Sequence, residues 1–348
     1  MRAQVILDVM QAGFLALSAL LCVSLPLCYW LRLDFCAAVT FLPAWIWLSP
    51  GLILATAGWS RTRKRVVAGV VLLWVVYVVV SAEEARSLMR LRPWPAPGWE
   101  QARDRGEALR VISVNCSGGD LAAAEEVAPY HPDIVMLQET PERSQVKKLA
   151  RRLFGMEAGV GRGVDTDIIA RGTVTARPRR GLPPYAFVQA RVRLTSGIEA
   201  EVFSAHFLPP VIRFDVWSPS CRREQTEKRR VHRQQMQEIA EVMAALPATM
   251  PIIIGGDFNV PGGDGVFRLL EPRLHDTFKE GGIGWGDTVL NDMPVSRFDQ
   301  IWASKHLRAV AVVARETRYS DHRMVICDLV ISRRANAARG PSRSMGTP

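Results

Sequence analysis

Charged residues are absent from three long stretches of this chain, and cysteine is scarce throughout. Residues 13–30, 35–59 and 66–82 hold no Asp, Glu, Lys or Arg. That excludes solvent-exposed helices there, and at a rise of about 1.5 Å per residue each run is long enough to cross a hydrocarbon core of roughly 30 Å. No small-residue cleavage site follows a short apolar core, which excludes a cleavable signal peptide. Of the six cysteines, Cys22, Cys28 and Cys36 lie in or beside the apolar runs and only Cys116, Cys221 and Cys327 lie beyond them. An odd number there excludes a disulfide framework. Cys116 and Cys327 read as small buried hydrophobes, and Cys221 as a thiol able to pair with another molecule. There is no internal repeat and no recognisable nucleic-acid-binding module.

Positive charge is what the chain has in excess, with a formal net charge of +10 over 348 residues. Arg61, Arg63, Lys64 and Arg65 lie between the second and third apolar runs, whereas the first loop carries only Arg32 and Asp34. The basic loop is expected on the cytoplasmic side, which puts everything after Ala82 on the extracytoplasmic side of a cell (inner) membrane. Arg86, Arg90 and Arg92 argue the other way, partly offset by Glu83 and Glu84. Residues 1–90 are thus predicted to be an integral anchor of three transmembrane helices, with the lipid bilayer as its partner. Residues 91–107, with their prolines and charges, read as a linker, and residues 333–348 as a disordered basic tail.

Residues 108–332 fit one domain. Strand-length apolar runs recur at 109–115, 133–139, 186–194, 200–206, 251–257, 298–304, 308–315 and 324–331, with helical patterns at 121–128, 144–153 and 226–245 between them. The expected class is α/β, two packed mixed sheets flanked by helices.

Several of these strands end in polar residues for which a core has no use. They are Asn115, Glu139, His206, the Asp257 and Asn259 pair, and Asp299, with Asp321 and His322 just before the last strand. Singly, each has a structural explanation as a cap, a turn or a satisfied histidine. All of those explanations would have to hold together. In the order VISVN, DIVMLQE, FSAHF, GGDFN, RFDQIW and YSDHRMV, the residues resemble the endonuclease/exonuclease/phosphatase superfamily of DNase-I-like metal-dependent phosphodiesterases. The resemblance covers about residues 108–332 and implies a four-layered α/β sandwich.

It further implies a phosphoesterase using Mg²⁺, or alternatively Mn²⁺. Asn115, Glu139 and Asp321 would then serve the metal, oxygen donors of the kind Mg²⁺ prefers. His206, Asp257, Asn259, Asp299 and His322 would be catalytic: His322 as the base oriented by Asp299, with Asp257 a second candidate base, Asn259 a donor to the phosphate and His206 a donor or general acid. Ser117 departs from the pattern, which often has an amide or acid there. In some relatives a carboxylate orients the histidine matching His206, for which Asp165 and Asp167 are the candidates, and Arg171 reads either as a phosphate contact or as a surface charge; this stretch matches poorly, and these residues are left out of the catalytic set.

The basic run after Arg222 reads either as a solvated helix face or as a phosphate-attracting rim, which does not distinguish nucleic acid from lipid headgroups. The expected partner is a phosphate-bearing substrate, with nucleic acid one candidate, and nothing points to a protein partner. A catalytically inactive, membrane-tethered binding module of the same fold is the alternative.

Overall fold

All eight expected strands form, and they join one sheet. The computed structural model describes residues 2–177 and 187–332, so the tail expected from residue 333 lies outside the described residues. In chain order the strands are β1 (Ala108–Asn115), β2 (Ile134–Gln138), β3 (Ala158–Arg162), β4 (Thr166–Ala176), β5 (Phe187–Leu194), β6 (Glu199–His206), β7 (Ile252–Asp257), β8 (Leu274–Asp276), β9 (Asp299–Ser304), β10 (Leu307–Arg315) and β11 (Met324–Ile331). They pair in the order β10-β11-β1-β2-β4-β5-β6-β7-β9-β8, with β3 beside β4.

This is one continuous mixed ladder where two separate sheets were expected, and β4 is the reason. Its first half pairs with β2 through Thr166–Ala170, and its second half pairs with β5 through Gly172–Ala176. Gly172 sits between them at φ +147°, where a Cβ would lie 2.1 Å from the Arg193 carbonyl oxygen. Only glycine fits that close approach. The sheet therefore curls, and one core unites Val111, Met136 and Ile168 of one half with Val188, Val202 and Ile301 of the other. Helix Arg143–Phe154 covers the outside of the first half and helix Pro219–Ala244 the outside of the second.

Two helices, Arg2–Leu31 and Lys64–Ser81, are each long and apolar enough to cross a membrane. The second expected span, 35–59, is broken: Asp34–Phe41 and Ala44–Ala57 meet at 80° and make a span only if taken together. Pro43 explains the break. It has φ −61°, ψ 144°, and the residue before it, Leu42, is pushed to the extended region as well. The helices pack through small and polar residues: the Ser18 hydroxyl donates to the Gly51 carbonyl (2.8 Å) and accepts from Trp74 Nε1 (3.0 Å).

The N-terminal helices, expected to be the anchor, are docked on the α/β domain rather than joined to it by a free linker. Arg229 is buried and donates to the Leu33 carbonyl (2.9 Å), Thr40 Oγ1 and Asp264. Arg233 reaches Asp34, and Arg297 joins Glu83 (2.7 Å) to Asp276. Within 91–107, Trp99–Asp104 is helical and Trp99 is buried under the Arg110 guanidinium, 4.4 Å from the ring centroid. Cys221 is buried and so is not placed to meet another molecule.

Candidate active site

Two parallel strand pairs, β1 with β2 and β6 with β7, end at the same edge of the curled sheet. Their C-terminal residues are therefore brought face to face. Asn115 Nδ2 donates to Glu139 Oε1 (3.0 Å) and Asp257 Oδ2 (3.1 Å), tying the two halves together. Glu139 Oε2 also accepts from the Gly118 backbone (2.5 Å). Three non-glycine residues here have positive φ, Ser117 (44°), Glu139 (47°) and Asn259 (51°), a clustering of sparsely populated backbone that accompanies functional sites.

Two histidine–carboxylate pairs flank Asp257. His322 Nδ1 lies 2.8 Å from Asp299 Oδ2, and His206 Nδ1 lies 2.5 Å from Asp165 Oδ2. Asp257 Oδ2 is 3.9 Å from His206 Nε2 and 3.9 Å from His322 Nδ1. Asp257 Oδ1 accepts from the Asn259 backbone (2.9 Å), and Asn259 Nδ2 donates to the Phe207 carbonyl (2.9 Å). Asp321 is exposed at the rim, its backbone oxygen held by the Asn291 N–H (2.9 Å).

Electrostatics separate the roles of these groups. Burial, reinforced by the Asp299 charge, pushes the Asp257 carboxyl up to about 6 against the pull of both imidazoles. Burial alone would lower His322, but the Asp299, Asp257 and Asp321 carboxylates outweigh it and raise it to about 10. His206 moves the same way: burial opposes its charge, while Asp165, Asp257 and Glu139 raise it.

The site is rich in carboxylate oxygen, as a hard divalent cation requires. Asp257, Asp299 and His322 offer ligand atoms within 4.8 Å of one another, and Asp299 Oδ1 is buried without a hydrogen-bond partner. The carboxylates around His322 favour its imidazolium form, which competes with ligation through the imidazole. Glu139, one-third exposed at the end of β2, is the more accessible carboxylate.

The matching family model is the endonuclease/exonuclease/phosphatase family, over residues 112–322. The chain belongs to that family. No curated protein matches the chain. Among solved structures, a functionally unknown conserved protein from Enterococcus faecalis is 13% identical with a TM-score of 0.50, the match covering 64% of this chain and 100% of that one. A family member from Bacteroides thetaiotaomicron is 17% identical (TM-score 0.48; 65% and 98% covered). D. rerio TDP2 complexed with a single-strand DNA product is also 17% identical (TM-score 0.45; 64% and 98% covered).

Of the eight residues singled out in the sequence, Asn115, Glu139, His206, Asp257, Asn259, Asp299 and His322 converge in this family member, and Asp321 borders them. Asp165, one of two candidates to orient His206 and left out of the catalytic set, is the one that pairs with it. Its neighbour Asp167 is buried and pairs with Arg162 (3.0 Å). The two are told apart only by the fold, since Asp165 precedes β4 in a turn while Asp167 lies inside the strand. Arg171, midway along β4 between its two pairing halves, stacks on Phe154 (5.5 Å) away from the site. Ser117 contributes its backbone N–H, which donates to Asn115 Oδ1 (2.9 Å), so the departure at its side chain leaves Asn115 oriented.

Proposed function

We propose that this protein is a membrane-anchored, divalent-metal-dependent phosphodiesterase whose catalytic domain faces the extracytoplasmic side of the inner membrane. The observation that carries this is Asp257, buried between two histidine–aspartate pairs and hydrogen-bonded through Asn115 to Glu139. Mg²⁺, or Mn²⁺ in its place, would be held by Glu139 with Asn115 and Asp321. When bound it supplies positive charge against the oxyanion that develops on the phosphate.

Asp257 takes the proton of the attacking water, because a base raised to about 6 is close to the operating pH while His322 is already protonated. This shifts the base away from His322. Instead, His322, fixed by Asp299, presents an imidazolium to the phosphate. Asn259 Nδ2 carries a second hydrogen beyond the one given to Phe207, and donates it to a phosphate oxygen. His206, kept charged by Asp165, gives its proton to the leaving oxygen as the phosphorus–oxygen bond breaks. The water oxygen ends on phosphorus, and the two protons are on Asp257 and the leaving alcohol.

Hydrolysis of bis-p-nitrophenyl phosphate by the full chain in detergent tests the reading. Turnover is expected with Mg²⁺ and absent with chelator. Equal rates under both conditions would reject it.

A further inference from the structure

The catalytic edge of the sheet points at the anchor. The segment that leaves β7 through Asn259 reaches Pro261 and Asp264, which with Ala37 and Phe41 of the anchor wall a single small pocket. Pro210, in the loop that leaves β6 after His206, lines the same pocket. The loop before β9 meets the anchor too: Phe298 packs on Phe41 (6.1 Å) and Trp285 on Trp45 (5.8 Å). Both loops that border the site therefore abut the anchor.

The bend at Pro43 fixes the level at which they do so. Ala44–Ala57 runs into the apolar bundle and Asp34–Phe41 lies at 80° to it, so that a bilayer crossed by Ala44–Ala57 would have Asp34–Phe41 lying along its surface. Loops beside that segment would then lie level with the lipid headgroups. They are also unusually apolar for exposed loops: Ile212 is 71%, Phe214 67% and Trp217 77% exposed after β6, and Met293 is 71% exposed in the loop before β9. Tryptophan and aliphatic side chains at that level belong in the membrane interface. Exposed Arg222, Arg223 and Arg230 follow on the adjoining helix, giving the positive charge that an anionic leaflet attracts. The loop is braced for the role, since Arg213 pairs with Asp215 (2.6 Å) and Glu224 (2.7 Å), and Gln225 holds the Val211 carbonyl (2.7 Å).

We propose that residues 208–217 and the loop carrying Met293 rest in the surface of the bilayer that holds the anchor, so that the site takes phosphodiesters borne by lipids of that leaflet. The substrate class rests on the phosphodiesterase reading above, while the membrane contact does not.

The full chain reconstituted in nanodiscs of phosphatidylethanolamine, phosphatidylglycerol and cardiolipin tests both parts. Brominated acyl chains should quench the fluorescence component that disappears in Trp217→Phe. Release of water-soluble phosphorus from the nanodisc lipids should fall about tenfold or more in Phe214→Ser/Trp217→Ser, with hydrolysis of bis-p-nitrophenyl phosphate unchanged; that unchanged rate also reports that the variant folds. An unquenched Trp217 overturns the membrane contact whether or not the protein is active. Quenching with bis-p-nitrophenyl phosphate turnover but no lipid turnover overturns the substrate class. Quenching with neither activity overturns the phosphodiesterase reading and leaves the contact standing.

Discussion

Asp257 owes its elevated proton affinity first to burial and then to Asp299, with His322 and His206 pulling the other way. The acid limb of the pH–rate profile should therefore rise through about 6 as Asp257 loses its proton and becomes able to act as a base. His206 must enter protonated, so activity should fall again at higher pH. Asp165→Asn removes the carboxylate that raises His206, which moves that alkaline limb to lower pH and lowers kcat by roughly tenfold or more. A profile measured on the variant with an unmoved alkaline limb would separate Asp165 from the chemistry. The seven converging residues were legible because polar groups at the ends of apolar strands have no packing rationale. Asp165 was not, because two carboxylates two residues apart look alike until one is seen to enter β4.

At the scale of the elements, the glycines carry what no hydrophobic pattern encodes. Gly256 precedes Asp257 at φ +150°, and a Cβ there would lie 1.9 Å from the Ala205 carbonyl oxygen on β6. Gly256→Ala must push β6 and β7 apart, displacing His206 and Asp257 together. We expect at least a hundredfold loss of turnover with a lowered melting temperature, since backbone conflicts of this kind strain both site and fold. Wild-type turnover and melting in that variant would show that the approach is not as close as described. Strands such as β1 and β7 were readable from their apolar runs. β3 and β4 were not, because AGVGR is broken by glycines and TDIIARGTVTA carries Asp, Arg and Gly inside a strand. The joining of two expected sheets into one depends on partners far apart in sequence, which local periodicity does not report. The bend in the second expected span was not legible, because run length and absence of charge, on which that span rests, do not report the break that Pro43 imposes.

Across the whole molecule, the apolar N-terminal helices and the α/β domain share buried charges, and those contacts fix how the two parts sit against each other. Arg229 is the clearest case: replacing it with Met would leave the buried Asp264 carboxylate without its guanidinium partner, a change that costs about 3–5 kcal/mol. A lower melting temperature and faster proteolysis between the anchor and the domain should follow. The same basic run that looked like a phosphate rim thus spends Arg229 and Arg233 on the anchor, a use no motif announces. Sidedness is a separate matter, and alkaline phosphatase fused after Arg92 should be active if that segment is exported. The most direct test of the central claim is the Mg²⁺-dependent rate of Asp257→Asn on bis-p-nitrophenyl phosphate, with Mg²⁺ binding followed by calorimetry. We predict a loss of about 10²–10⁴-fold in kcat, as removal of an acid–base group gives, with Mg²⁺ still bound. A variant that retains the wild-type rate would contradict the account.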